Sequence, residues 1–121
     1  MAGPLWVFNT NKNMGTKNYH KHLDGSYTFT DTRTILEAHE ENLTRIRELT
    51  TAKIFEAGYD EIWQRNAAMG VIPQQESQVG INYIAACRNE YLRCKALILA
   101  ATTNDEADSV TYIVPPVEEG L

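Results

Sequence analysis

His20-Lys-His22-Leu-Asp24 is the stretch of this chain whose side chains have the chemistry and spacing of metal ligands. Alternate residues of a strand share a face, so two imidazoles and a carboxylate would converge there, and a zinc ion shared between subunits by His20 and His22 is the sharpest form of that idea. Three side chains fall short of a closed site. Asp24 also has another reason to be present, because it precedes Gly25 in a turn-forming pair. The stretch therefore reads as the polar edge of a hairpin, and neither a metal nor a cofactor is expected.

The other reactive residue types lack partners. Ser26, Ser77 and Ser109 stand at a turn, a helix start and a strand start, with no GxSxG elbow or neighbouring histidine. Cys87 and Cys94 are seven apart in a helical segment, hence about 10 Å apart along one face and unable to bridge each other. Both lie on an apolar stripe, where a thiol is inert. There is no GxxxxGK[ST], GxGxxG or HExxH, and the sequon Asn42-Leu43-Thr44 falls inside a helix. No catalytic residue is expected, and the chain does not read as an enzyme.

The elements that would position these residues follow from turn signals and periodicity. Residues 1 to 33 form an extended arm with a β-hairpin pattern: Asp24-Gly25 between two Tyr- and Thr-containing runs predicts a two-residue turn with His22 opposite Tyr27 and His20 opposite Phe29. Thr34-Ile-Leu-Glu37 is a capping box that starts a helix. Leu36, Leu43, Ile46, Leu49, Ala52, Ile54 and Phe55 carry it at helical spacing to about Ala57, and Gly58 stops it. Asp60 caps a short helix through Trp63 that ends at Gly70, and Pro73 opens the next. There Ile84, Cys87, Tyr91, Cys94, Ile98 and Ala101 form a stripe flanked by Tyr83, Leu97 and Leu99. The acidic Thr103-to-Asp108 stretch ends that helix, and Ser109 to Val114 is β-rich before Pro115-Pro116. The fold class is mainly α: an antiparallel helical hairpin over 34–103 with a short connecting helix, a β-like arm before it, and an acidic strand and tail over 104–121.

Length and charge narrow the partners. The chain has 121 residues, enough for one domain, and a net charge of −5. Lys12, Lys17 and Lys21 face only Asp24 in the head, while the tail from 103 onward holds Asp105, Glu106, Asp108, Glu118 and Glu119 without a cation. An acidic chain with no basic stripe is unsuited to phosphate neutralisation, so nucleic acid is not an expected partner. No apolar run approaches the roughly 20 residues of a membrane span and no signal sequence is visible, so no membrane partner is expected and synthesis is placed in the cytoplasm. Trp6, Phe8, Tyr19, Tyr27 and Phe29 lie in an arm with no core of its own. Together with Tyr112 they are the expected interface residues, buried either on the helices or on another subunit.

Gln64-Arg65-Asn66-Ala67-Ala68-Met69-Gly70, followed by a helix with the step Ile84 to Arg88, resembles a small helical module of tail-associated proteins of tailed bacteriophages. In that module a Q-x-N-A-A-L-G-like turn precedes a helix with an Ile-x-x-x-Arg step; Met69 departs from the pattern, and the likeness covers about residues 59 to 101. The resemblance implies a structural component of a virion (tail, neck or fibre attachment) localised to the particle after synthesis in the host cytoplasm. Its partners would be other virion proteins and copies of itself, engaged through the aromatic arm and the acidic tail. The alternative is a non-virion assembly chaperone or small acidic regulator that binds through the face around Tyr59 and Trp63. On the structural reading Asp60, Trp63, Gln64, Arg65, Asn66, Gly70, Pro73 and Arg88 form a structural corner, with the polar side chains satisfying loop backbone and terminal carbonyls.

Overall fold

The computed structural model describes residues 15–117. The order of elements is β1 (Lys17–Lys21), β2 (Tyr27–Asp31), α1 (Ile35–Glu56), α2 (Glu61–Ala68), α3 (Gln74–Ala100) and α4 (Asn104–Asp108). The fold is mainly α, with one small antiparallel sheet. Trp6 and Phe8 lie outside the described residues.

The helix ends follow local chemistry. The Thr34 hydroxyl accepts from the Glu37 amide at 3.1 Å while the Glu37 carboxylate accepts from the Thr34 amide at 2.8 Å, so the capping box is closed. At the other end Gly58 adopts φ +99°, and the amides of Gly58 and Tyr59 donate back to the carbonyls of Phe55 and Ile54. This crossed pair satisfies carbonyls the helix leaves free. The same device ends α2: Gly70, at φ +76°, and Val71 donate to Ala67 and Asn66. Asp60 caps α2 through the Trp63 amide at 2.9 Å, and Pro73 is the N-cap residue of α3.

Three expectations about these segments are corrected. The hairpin pairs Tyr19 with Phe29, His20 with Thr28 and Lys21 with Tyr27, one residue out of the two-residue register. Gly25 donates to the His22 carbonyl at 3.0 Å and His22 to the Ser26 carbonyl at 2.8 Å, with Gly25 at φ +91°. This is a three-residue loop ending in a left-handed glycine, which Asp-Gly serves as well as the tighter turn. The acidic stretch after α3 is not merely a stop, because Thr103 and Glu106 close a second capping box and start α4. Carboxylates in a first turn favour the positive end of a helix. The β-rich Ser109 to Val114 forms no strand.

The core holds α1 against α3 in antiparallel sense. Ala38 and Ile46 of α1 cluster with Cys94 and Ile98 of α3, Ala107 of α4 and Tyr112, while Ile54 near the end of α1 clusters with Tyr83, Ile84 and Cys87 near the start of α3. The predicted α3 stripe is thus buried at Ile84, Cys87, Cys94 and Ile98 and half-buried at Tyr91 and Ala101, but Leu97 and Leu99 are exposed. On α1 the buried residues are Ala38, Asn42, Ile46, Thr50 and Ile54, at a strict four-residue interval. That interval is the ridge by which helices interlock. Leu36, Ala52 and Phe55, expected on this stripe, are exposed. The two polar members bond locally: Asn42 Nδ2 donates to the Ala38 carbonyl at 2.9 Å and Thr50 Oγ1 to that of Ile46 at 2.7 Å. Among the described residues no helix is long and apolar enough to cross a membrane.

Candidate functional site

The strongest polar constellation is centred on Arg33, between the sheet and α1. Its side chain is 4% exposed. Nε and Nη2 donate to the two oxygens of Asp31 at 3.0 and 2.8 Å, and Nη1 and Nη2 to the two oxygens of Asp108 at 3.1 and 2.8 Å. Nη1 also donates to Glu41 at 2.8 Å. A planar fork is the one cationic group that can serve two carboxylates bidentately. Lys17 of β1 bonds Asp108 and lies 3.8 Å from Asp105. Asn42 Nδ2 donates to Asp108 at 2.9 Å, and Asn104 Nδ2 to the Arg33 carbonyl at 2.9 Å. Arg33 holds the Asp31 and Asp108 carboxyls well below the usual carboxylate range, and they in turn raise the Arg33 pKa.

Carboxylate oxygens of Asp31, Asp105 and Asp108 lie within 4.8 Å of one another, a spacing that suits a divalent cation. Two cationic side chains already neutralise them, so the cluster is a brace that locks the hairpin root to α1 and α4. Sequence reasoning named Lys17, Asp105 and Asp108 only as charges of the head and tail and passed over Asp31 and Arg33, since no local motif links them.

A second constellation holds the tail between α1 and α3. The Val110 carbonyl accepts from Arg45 Nη2 at 2.9 Å and the Thr111 carbonyl from Arg93 Nη2 at 2.8 Å, while the Ile113 amide donates to Glu90 Oε2 at 2.8 Å. Tyr112, expected at an interface, is instead buried in its own chain and donates to the Cys87 carbonyl at 3.0 Å. Burial pushes the Tyr112 phenol up to about 12. The Glu90 carboxyl is held at about 2 by Arg93, with the Ile113 amide adding to the effect. Side chains thus replace the sheet ladder expected of the β-rich sequence.

The hairpin leaves its aromatics outward. Tyr19, Tyr27 and Phe29 are 69%, 63% and 42% exposed, with the Tyr19 and Phe29 rings 5.0 Å apart. His20 and His22 stack edge to face at 4.9 Å. His22 bonds Thr28, and Asp24 accepts from the amide and hydroxyl of Ser26. The three weak metal candidates are therefore not brought together: Asp24 closes its own turn.

The corner brings together part of the expected set. Tyr59 stacks on Trp63 at 4.6 Å and lies 5.8 Å from Tyr83, and Gln64 Nε2 donates to the Tyr59 carbonyl at 2.9 Å. The indole is half-buried and rests on Gly80, where a Cβ would collide with its ring edge. Asn66 contributes through its backbone, and Arg65 is exposed. Arg88 does not hydrogen-bond to Gln64, Arg65 or Asn66; it lines, with Trp63, Gln64, Ala67, Ile81 and Ala85, an open cleft of about 480 Å³ between α2 and α3. This cleft was not foreseen. No family model matches this sequence, and neither does any curated protein or solved structure.

Proposed function

We propose that this chain is a structural component of a bacteriophage particle, at the tail, neck or fibre attachment, that assembles by inserting its hairpin into neighbouring subunits. The observation that carries the reading is the pairing of opposite properties in one hairpin. Its root is fixed by Lys17 and Asp31 to the Arg33 brace, while its body presents Tyr19, Tyr27 and Phe29 to solvent. Exposed aromatics on a two-stranded ribbon are costly for an isolated protein and useful at an interface, where they supply contact area with little loss of side-chain freedom. The phage resemblance of residues 59 to 101 supplies the particle. No reaction is proposed.

Mass spectrometry of purified particles tests this: the chain should be present in fixed ratio to other particle proteins, and cross-links should radiate from Lys21. Tyr19→Ser with Phe29→Ser should block incorporation while leaving the melting temperature of the free protein unchanged. A chain absent from finished particles but bound to an assembly intermediate would favour the second reading, a non-virion chaperone or small acidic regulator. The α2–α3 cleft beside Trp63 is the observation that supports that alternative.

A further inference from the structure

The α2–α3 cleft does not end at Arg88. The same side chain lines a second concavity of about 400 Å³ between α1 and α3, with Arg47, Thr50, Thr51, Tyr91 and Leu92. The two form one trough floored by α3. Along it Ile81, Ala85, Arg88 and Leu92 follow the four-three-four interval of a helix seam. Ile81 and Leu92 are 47% and 56% exposed. The helix already spends its other stripe, Tyr83, Ile84, Cys87, Cys94 and Ile98, on the core, so this seam is a second apolar face with nothing on it among the described residues.

Charge says what belongs there. The ion pairs of the described residues involve Lys17, Arg33, Lys53 and Arg93, and neither Arg47 nor Arg88 is among them. No carboxylate lines either concavity. A chain of net charge −5 thus keeps a cationic, apolar-floored trough. Two copies facing each other across it would set Arg88 against Arg88, which like-charge repulsion opposes. Two arginines on an acidic protein are too few for a phosphate backbone.

We propose that this trough seats an acidic amphipathic helix of a partner protein, its apolar residues on Ile81, Ala85 and Leu92 and its carboxylates on Arg47 and Arg88. This inference does not rest on the particle reading, since a virion component and a chaperone would use the trough alike.

The experiment uses the full chain with Trp6→Phe, so that Trp63 is the sole indole, and titrates it with two stapled helical peptides sharing a leucine face. One peptide carries glutamates beside that face and the other lysines. The glutamate peptide should shift Trp63 emission and bind about tenfold or more tighter than the lysine peptide, with the preference shrinking as salt rises. Arg88→Glu, at an exposed position, should reverse the preference without lowering the melting temperature. Equal binding of both peptides, no binding of either, or an unchanged preference in Arg88→Glu would overturn the proposal. So would a concentration-dependent dimer in sedimentation equilibrium that Arg88→Glu strengthens, because the trough would then belong to a second copy.

Discussion

Arg33 and Asp108 stand 75 residues apart and meet through two parallel hydrogen bonds, Nη1 to Oδ1 at 3.1 Å and Nη2 to Oδ2 at 2.8 Å. The pair joins the root of the hairpin to the last helix. It fixes which way the exposed ribbon points.

Replacing Arg33 leaves Asp31, Asp108 and Glu41 facing one another without their common cation. The carboxylates are partly exposed and Lys17 still pairs with Asp108, so Arg33→Ala should lower stability by somewhat less than the roughly 3–5 kcal/mol of a broken, fully buried pair. Arg33→Lys should fall between, because one ammonium cannot replace the fork across three carboxylates. Urea unfolding followed by circular dichroism measures both. A midpoint for Arg33→Ala equal to the parent's would mean the brace contributes nothing to the fold.

Acid should undo the tail clamp in a defined window. Glu90 is held at about 2, below the roughly 4.3 of an exposed glutamate. A folded pKa below the unfolded one contributes stability that is fully present above the unfolded value and disappears as pH falls through the folded value. Asp31 and Asp108, lowered by Arg33, act with the same sign. The melting temperature should therefore begin to fall below about pH 4.5. Glu90→Gln should start lower at neutral pH, fall less steeply and approach the parent near pH 2. Parallel curves would show that Glu90 gains nothing from its partners.

Tyr112 separates packing from hydrogen bonding at the tail. Tyr112→Phe removes only the bond to Cys87 and should cost about 0.5–1.5 kcal/mol. Tyr112→Ala empties a core site and should cost about 3–5 kcal/mol. Cys94 packs in the same cluster as Tyr112, and burial raises its thiol pKa. Thiol labelling should therefore be slow in the parent and much faster in Tyr112→Ala. Equal labelling rates would place the tail off the core in solution.

Gly80 offers a test of the corner. Alanine is the better helix former by about 1 kcal/mol, yet its Cβ would strike the Trp63 ring and come within 2.8 Å of Tyr59 Cε1. Gly80→Ala should be destabilising by about 1–3 kcal/mol through overpacking. In a Trp63→Ala background the same change should become neutral or favourable, a coupling read by a double-mutant cycle on thermal melts. Additive effects would mean the indole does not rest on α3.

Amino-acid order by itself determined what lies within one turn of chain. The Thr34 to Glu37 box, the Asp60 cap and the glycine stops at 58 and 70 each involve groups within about five residues, so short-range sterics and hydrogen bonding settle them before any packing. The α3 stripe was equally legible, since periodicity alone marks a face for burial. Periodicity could not say which face of α1 wins: Leu36, Ala52 and Phe55 are as apolar as the residues that were buried, and the four-residue ridge through Asn42 and Thr50 prevailed because it interlocks with α3 while its polar members bond to their own helix. Tertiary structure alone decided the Arg33 brace, the clamped tail and the trough. Asp108 is one of 16 acidic residues until folding brings it to Arg33, and the tail's β-rich sequence carried no sign that Arg45, Glu90 and Arg93 would supply the partners a neighbouring strand would otherwise provide.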